Sequence, residues 1–247
     1  MIATPCFGGL LTQGYVESII KLIHFAGREG FDVHLAMLGH DALITRSRNT
    51  LVSAFLDLPE MTHLMFIDAD IAFEPEAVGR LLAFDEDFVA GVYPLKVNDW
   101  NGGAARQRRY GESHALASLA YVGTFCEGAA LERRDGFATA VYAGTGFMLI
   151  RRNVVESLAA AHPELRYRAA HVYPRPTRAS EHQYALFECM IEPETGIYLS
   201  EDYAFCRRWL ELGGRIWLDT ESKLTHIGAQ SFRGDTTLRL ASELITV

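Results

Sequence analysis

Two carboxylates mark the place in this chain where reactive side chains are most concentrated. His63-Leu64-Met65-Phe66-Ile67-Asp68-Ala69-Asp70 is an apolar run that stops abruptly in aspartates spaced i, i+2. A run this short and apolar has the pattern of a strand buried on both faces of an α/β sheet. Its carboxyl end is the rim at which open α/β sheets bind ligands. Paired carboxylate oxygens there suit a hard divalent cation, and the cation in turn suits a diphosphate. The same letters also fit a plain strand-to-helix turn, with Asp70 or Glu74 capping a helix that starts at Pro75.

Four further groups carry chemistry. In Thr45-Arg46-Ser47-Arg48-Asn49 two arginines lie at i, i+2 in the first turns of a helix. Residues so spaced do not share a helix face, so one surface ion pair cannot account for both. The planar guanidinium suits phosphate and carboxylate because it bonds them bidentately. Gly144-Thr145-Gly146 joins two apolar segments, where glycine permits positive φ, a β-bulge or close approach of a ligand to the backbone. Glu201-Asp202 opens a helix after Ser200; the helix dipole favours carboxylates there and is expected to lower their pKa, leaving them ionised to take a proton or bind a cation. His226 follows a short strand and is either a structural histidine or a metal ligand. A mixed Asp/His donor set selects Mn²⁺ over Mg²⁺.

Two competing motifs can be tested against the letters. An EF-hand loop beginning at Asp68 needs a liganding side chain at Ala72 and glycine at Phe73, which excludes it. An aspartyl-phosphate phosphatase would use Asp68 as nucleophile, but Ala72 stands where its D-x-D-x-T/V pattern has Thr or Val, and the motif belongs on a first strand.

The elements that must position these groups alternate along the first ninety residues. Met1–Thr4 is a short strand cut by Pro5. A helix runs from about Thr12 to Gly27–Gly30, with Val16, Ile19, Ile20 and Ile23 at helical spacing. Asp32–Leu38 is a strand, Ile44–Leu58 a helix, and the strand ending at Asp68 is followed by a helix over Pro75–Phe84 and a strand over Phe88–Tyr93. This spacing predicts a parallel sheet with right-handed crossovers. The alternation then stops. Asn98–Ser113 is polar, Gly-rich and basic, the pattern of a mobile loop. Short strands follow at Tyr121–Phe125 and Phe137–Ala143, then the run Phe147–Ile150 and a helix capped by Asn153 that reaches Ala161. Pro163–Ile197 is irregular. Ser200 caps a helix with Phe205, Trp209 and Leu212 as its buried stripe, stopped by Gly213-Gly214, and Ile216–Leu218 and Leu224–Ile227 close the chain. The expected organisation is one domain over 1–247, with a nucleotide-binding half at 1–95 and a more irregular half at 96–247.

Composition agrees with this class. The 247 residues are 49% hydrophobic and 22% charged, enough for a sizeable core. Net charge is −8, with 31 acidic against 23 basic residues, which argues against nucleic acid as the main partner. Cys6, Cys126, Cys189 and Cys206 are scattered, as free thiols of a reducing cytosol would be. Neither a signal-peptide pattern nor an apolar stretch of about 18 residues occurs, so a cytoplasmic protein without a transmembrane segment is expected.

Taken together, these motifs resemble those of GT-A-fold, nucleotide-sugar-dependent glycosyltransferases over nearly the whole chain. Asp68-Ala69-Asp70 matches the family's D-x-D motif, Gly144-Thr145-Gly146 the glycine-rich segment beside the donor sugar, and Ser200-Glu201-Asp202 the later x-E-D motif. His226 sits where many members place a metal-binding histidine. Asp68-Ala69-Asp70-Ile71 is also similar to the Anp1/Mnn9-like mannosyltransferases, which retain anomeric configuration. The resemblance implies a GT-A-like fold: a Rossmann-like, mostly parallel sheet flanked by helices, with a smaller irregular or antiparallel second half. It implies transfer of a sugar from a UDP- or GDP-activated donor to the hydroxyl of a glycan, lipid-linked or protein acceptor, with Mn²⁺ or Mg²⁺. By the same resemblance Asp70 and His226 would hold the metal, and Asp68 would face the ribose or the metal's water shell. Thr4 and Pro5 would border the base, Arg46 or Arg48 would add charge at the phosphates, Asn49 would be among the donor-binding residues, and 96–247 would be the acceptor and catalytic half. Asp202, beside Glu201, would be the catalytic base of an inverting reaction, and the 98–113 stretch would close over the donor. A nucleotide-sugar-binding domain without turnover is the alternative.

Overall fold

The structure, a computed structural model, describes residues 1–168 and 180–243. In chain order its strands and α-helices are β1 (Ile2–Cys6), α1 (Gln13–Glu29), β2 (Leu35–Gly39), α2 (Ile44–Leu56), β3 (His63–Ile67), β4 (Ile71–Ala72), α3 (Pro75–Phe84), β5 (Phe88–Gly91), β6 (Pro94–Asn98), α4 (Trp100–Tyr110), α5 (His114–Ala117), β7 (Leu119–Tyr121), β8 (Thr124–Phe125), β9 (Arg133–Arg134), β10 (Phe137–Tyr142) and β11 (Phe147–Arg151). They continue with α6 (Arg152–Ala161), β12 (Met190–Ile191), β13 (Tyr198–Leu199), α7 (Glu201–Glu211), β14 (Ile216–Asp219), β15 (Thr225–Ile227), β16 (Ser231–Arg233) and α8 (Thr237–Glu243).

A nine-stranded sheet in the order β2-β1-β3-β11-β5-β14-β10-β8, with β9 also on β10, forms the spine. Alternate side chains of each buried strand serve opposite faces. Leu64 and Phe66 of β3 join α2, α6 and α7 in one core cluster, through residues such as Val52, Phe55, Val155 and Phe205. Met65 and Ile67 join α1 and α3 in the other, through Ile19, Leu22, Val78 and Leu81. The class is therefore α/β, a mostly parallel sheet between two helical layers with small antiparallel sheets attached, consistent with a GT-A-like fold.

The sheet is mixed rather than purely parallel. β10 and β11 run against the other strands. β11 lies between β3 and β5, with Phe147 opposite Ile67 and Met148 opposite Ala90. The reversal has a positional consequence, because it sets the Gly144–Gly146 segment beside the end of β3, where Asp68 N–H donates to the Gly146 carbonyl at 3.1 Å.

Four local expectations are corrected. The 98–113 stretch is helical over Trp100–Tyr110. Asp99 caps it by accepting from Gly102 N–H at 3.0 Å, and Arg106 ties back to Asp99 at 3.1 Å. Gly103 is buried, and a Cβ on it would meet the Ser118 backbone at 3.4 Å. Its glycine permits a close helix–backbone approach that composition alone presents as a loop. On α1 the buried stripe is Tyr15, Ile19, Leu22 and Ala26, while Val16, Ile20 and Ile23 are exposed. In the second half, α6 starts at Arg152 with Arg151 rather than Asn153 at its cap, and Leu212 is exposed rather than part of the α7 stripe.

Candidate functional site

A cavity of about 540 Å³ opens at the carboxyl ends of β1 and β3, within the range of small-molecule sites. Pro5, Arg48, Asp68, Ala69, Asp70 and His226 line it together with the apolar side chains of Phe7, Leu10 and Ile44. The chain brings His226 here through strand pairing: β15 adds antiparallel to β4, with His226 opposite Ile71. The Ile227 N–H donates to the Asp70 carbonyl at 2.8 Å, which locks that register.

Asp70 and His226 form the first half of the site. Asp70 Oδ1 lies 3.3 Å from His226 Nε2, and its Oδ2 is paired with the Lys96 ammonium. His226 Nδ1 is 2.9 Å from the carbonyl oxygen of Pro94. A carbonyl only accepts, so Nδ1 carries a hydrogen there. Nε2 then faces the carboxylate: with a proton it donates to Asp70 Oδ1, and once that proton gives way to an ion it presents the lone pair by which an imidazole ligates metal. Two cis ligands on an octahedral ion, with bonds of roughly 2.1 Å, lie about 3 Å apart, which this pair matches. Burial pushes the Asp70 pKa up, but His226 and Lys96 more than offset it and hold the carboxyl below its ordinary value. Among the described residues no cluster of three or more His, Cys, Asp and Glu is arranged for a metal. The pair thus supplies two donors, and an ion there would draw the rest from a bound ligand and water.

Arg48 forms the second half. It is 3% exposed, and from α2 its Nη2 donates to Asp68 Oδ1 at 3.1 Å and its Nε to Glu201 Oε1 at 3.3 Å. Its Nη1 is buried and has no hydrogen-bond partner among the described residues. Burial works against its charge, yet Asp68 and Glu201 outweigh that and raise its pKa above the ordinary arginine value. The two arginines do diverge, as their spacing requires. Arg46 turns to Asp41, with contacts of 2.8 and 2.7 Å.

Asp202 departs from expectation. Its pKa is raised by burial, to which neighbouring Glu201 adds, against hydrogen bonds from Ser200 and Tyr203 that lower it. Desolvation outweighs the helix dipole because the carboxyl, although in the first turn of α7, is largely shielded from water.

The remaining predicted positions also make contacts within the frame. Thr4 is buried, its Oγ1 2.6 Å from the Tyr15 hydroxyl, and burial pushes that phenol up to about 12. The Asn49 side-chain oxygen accepts from Phe187 N–H at 2.9 Å. The Ala69 carbonyl accepts from Thr12 N–H at 3.0 Å. Gly144, Thr145 and Gly146 sit behind Asp68, against buried Tyr93. A Cβ on Gly144 would come within 2.3 Å of the Tyr93 hydroxyl, and one on Gly146 within 2.6 Å of its ring. Tyr93 accepts from Gly146 N–H at 3.1 Å and stands edge-on to His226, ring centroids 5.5 Å apart. Lys96, Tyr93 and Asp41 are absent from the sequence-based site. Tyr93 closes a predicted strand, which marks it as core, and no motif singles out a lone Lys96 or Asp41.

No protein-family model matches this sequence, and no curated protein matches it. Similarity appears among solved structures. A197 from STIV is 15% identical over 96% of this chain and 90% of its own, with a TM-score of 0.51, a likeness of fold. A glycosyltransferase involved in the glycosylation of the major capsid of PBCV-1 is 9% identical over 70% of each chain, with a TM-score of 0.30. No helix among the described residues is long and apolar enough to cross a membrane.

Proposed function

We propose that this chain is a divalent-metal-dependent glycosyltransferase that moves a sugar from a UDP- or GDP-activated donor to an acceptor hydroxyl. The carrying observation is the joining, on one cavity, of the Asp70–His226 pair at 3.3 Å with a buried arginine that has a spare donor. Asp70 and His226 would hold Mn²⁺, or less selectively Mg²⁺, with Asp68 facing its water shell or the ribose. The ion, when bound, supplies Lewis-acid charge that turns the nucleoside diphosphate into a competent leaving group. The chain's own groups do the rest. Arg48 offers Nη1 to developing phosphate charge while Asp68 and Glu201 fix its orientation. Asp202, its pKa raised by burial, takes the proton of an acceptor hydroxyl, as an inverting reaction requires. Pro5 and the apolar rim of Phe7 and Leu10 would border the base.

Calorimetric titration of UDP and GDP with Mn²⁺ and with EDTA tests this reading. One of the two should bind only with the metal, and Asp70→Ala should abolish that binding while the melting temperature stays near wild type. At 100 times its Kd the nucleotide should add about 2.7 kcal/mol of stability. Equal affinity in EDTA, or no binding at all, would sink the assignment. Metal-dependent binding with no donor hydrolysis or transfer would favour the nucleotide-sugar-binding alternative.

A further inference from the structure

The ammonium on Asp70 has no place in the reading above, although the fold takes trouble to put it there. Lys96 lies at the centre of β6, which pairs with β7 through Pro94 and Asn98. Its stem runs across Gly228, a cavity-lining residue; a Cβ there would come within 2.9 Å of Lys96 Cδ. Glycine at 228 thus clears the lane along which the side chain reaches Asp70. The same strand supplies the Pro94 carbonyl that fixes His226, at 2.9 Å. One short strand therefore orients the imidazole and places a cation on the carboxylate beside it.

An ammonium and a divalent ion cannot both sit on one carboxylate without strong like-charge repulsion in a half-buried site. Lys96 ends in a compact charge on a flexible four-carbon stem, 36% exposed at its side chain, so it can swing away with no movement of β6. A diphosphate carries more negative charge than one divalent ion neutralises, and it would lie within reach of the released ammonium. We propose that Lys96 is an exchangeable cation of the donor site: it holds Asp70 when no divalent ion is bound, and turns onto the diphosphate when the ion takes Asp70. The inference rests on the reading of Asp70 and His226 as the ion-holding pair.

Opposed shifts in two affinities test it, both measured on the whole chain. In Lys96→Met, Mn²⁺ affinity without nucleotide, read from the paramagnetic signal of free Mn²⁺, should rise about two- to fivefold, the size of a partly exposed ion pair. In the same variant at saturating Mn²⁺, affinity for UDP or GDP should fall about tenfold or more, as for loss of one charge-assisted hydrogen bond. Lys96→Gln serves as the second variant if Lys96→Met does not fold, and carries the same expectation. A merely structural lysine would weaken both affinities together; that result, or no change in either, overturns the proposal. Wild-type protein that binds neither Mn²⁺ nor a nucleotide would overturn the functional reading itself, and the exchange with it.

Discussion

Two arginines buried in this molecule are held in opposite ways. Arg239, 7% exposed, meets Glu112 through Nε and Nη2 at 3.0–3.2 Å and gives further hydrogen bonds to the carbonyls of Leu116 and Leu119 at 2.8 Å. It fastens α8 to α5 and the β7 edge, and Glu112 itself is 2% exposed. Arg48, 3% exposed, meets two carboxylates through one nitrogen each and leaves Nη1 without a partner among the described residues. Burying a charged group is tolerable when its donors are satisfied, and costly otherwise. The clamp at Arg239 is what a purely structural solution looks like. The region around Arg48 keeps this buried donor unpaired beside Asp202, whose pKa burial raises, and such local costs cluster where a ligand completes the set.

The contrast can be sharpened most at Asp202. A raised folded-state pKa favours the protonated fold, so its contribution is complete below the unfolded value of about 3.9 and is lost as pH rises through the higher folded value. The ionised form of Asp202 therefore lowers stability relative to the protonated form. Asp202→Asn should melt at or slightly above the wild-type temperature at pH 7, yet slow transfer by about 10²–10⁴, with donor hydrolysis as a readout. Wild-type turnover should fall with decreasing pH around a midpoint above the ordinary aspartate value. A wild-type rate in Asp202→Asn would reduce Asp202 to a carboxylate of the α7 first turn and remove the main support for inversion.

Glu112→Ala comes next. It leaves Arg239 buried without its counter-charge, and denaturant unfolding should show a loss of about 3–5 kcal/mol. Nucleotide affinity of the folded protein should not change. A parallel fall in affinity would mean that the clamp reaches the site and that the two regions are not separate.

The smallest effect compares neighbours on α2. Arg48→Lys keeps charge but loses the fork, and should weaken nucleotide binding by about tenfold or more, the value of a hydrogen bond to a charged group. Arg46→Lys disturbs a pair whose arginine is 40% exposed, and surface pairs contribute only about 0–1 kcal/mol. Its nucleotide affinity should match wild type. Equal losses in the two variants would erase the distinction between them.

Much of this layout is legible in the sequence. The alternation through residue 93, the Pro75 start of α3 and the carboxylates at the end of β3 follow from local pattern. The failures are instructive. α1 carries two apolar stripes, and spacing cannot say that Tyr15, Ile19 and Leu22 pack while Val16, Ile20 and Ile23 face outward. The glycines of α4 suit a loop until the Ser118 backbone packs against Gly103. The Gly-Thr-Gly segment stands out by its letters, but its glycines make room for Tyr93, a contact no window of sequence contains.

What the sequence by itself determined is the alphabet of the site and the elements that carry it: acidic residues at a strand end, arginines on successive helix faces, a histidine near a late strand. Periodicity and turn chemistry act between neighbours, and neighbours suffice to state them. Only the tertiary structure decided which of these groups meet. The pairing of β15 with β4 puts His226 on Asp70, the reversed β11 sets Gly146 behind Asp68, and β6 lays Lys96 across Gly228. Those registers join segments far apart in the chain, and they are selected by burial of the whole sheet, since a one-residue slip would turn every apolar side chain of a strand to the wrong face.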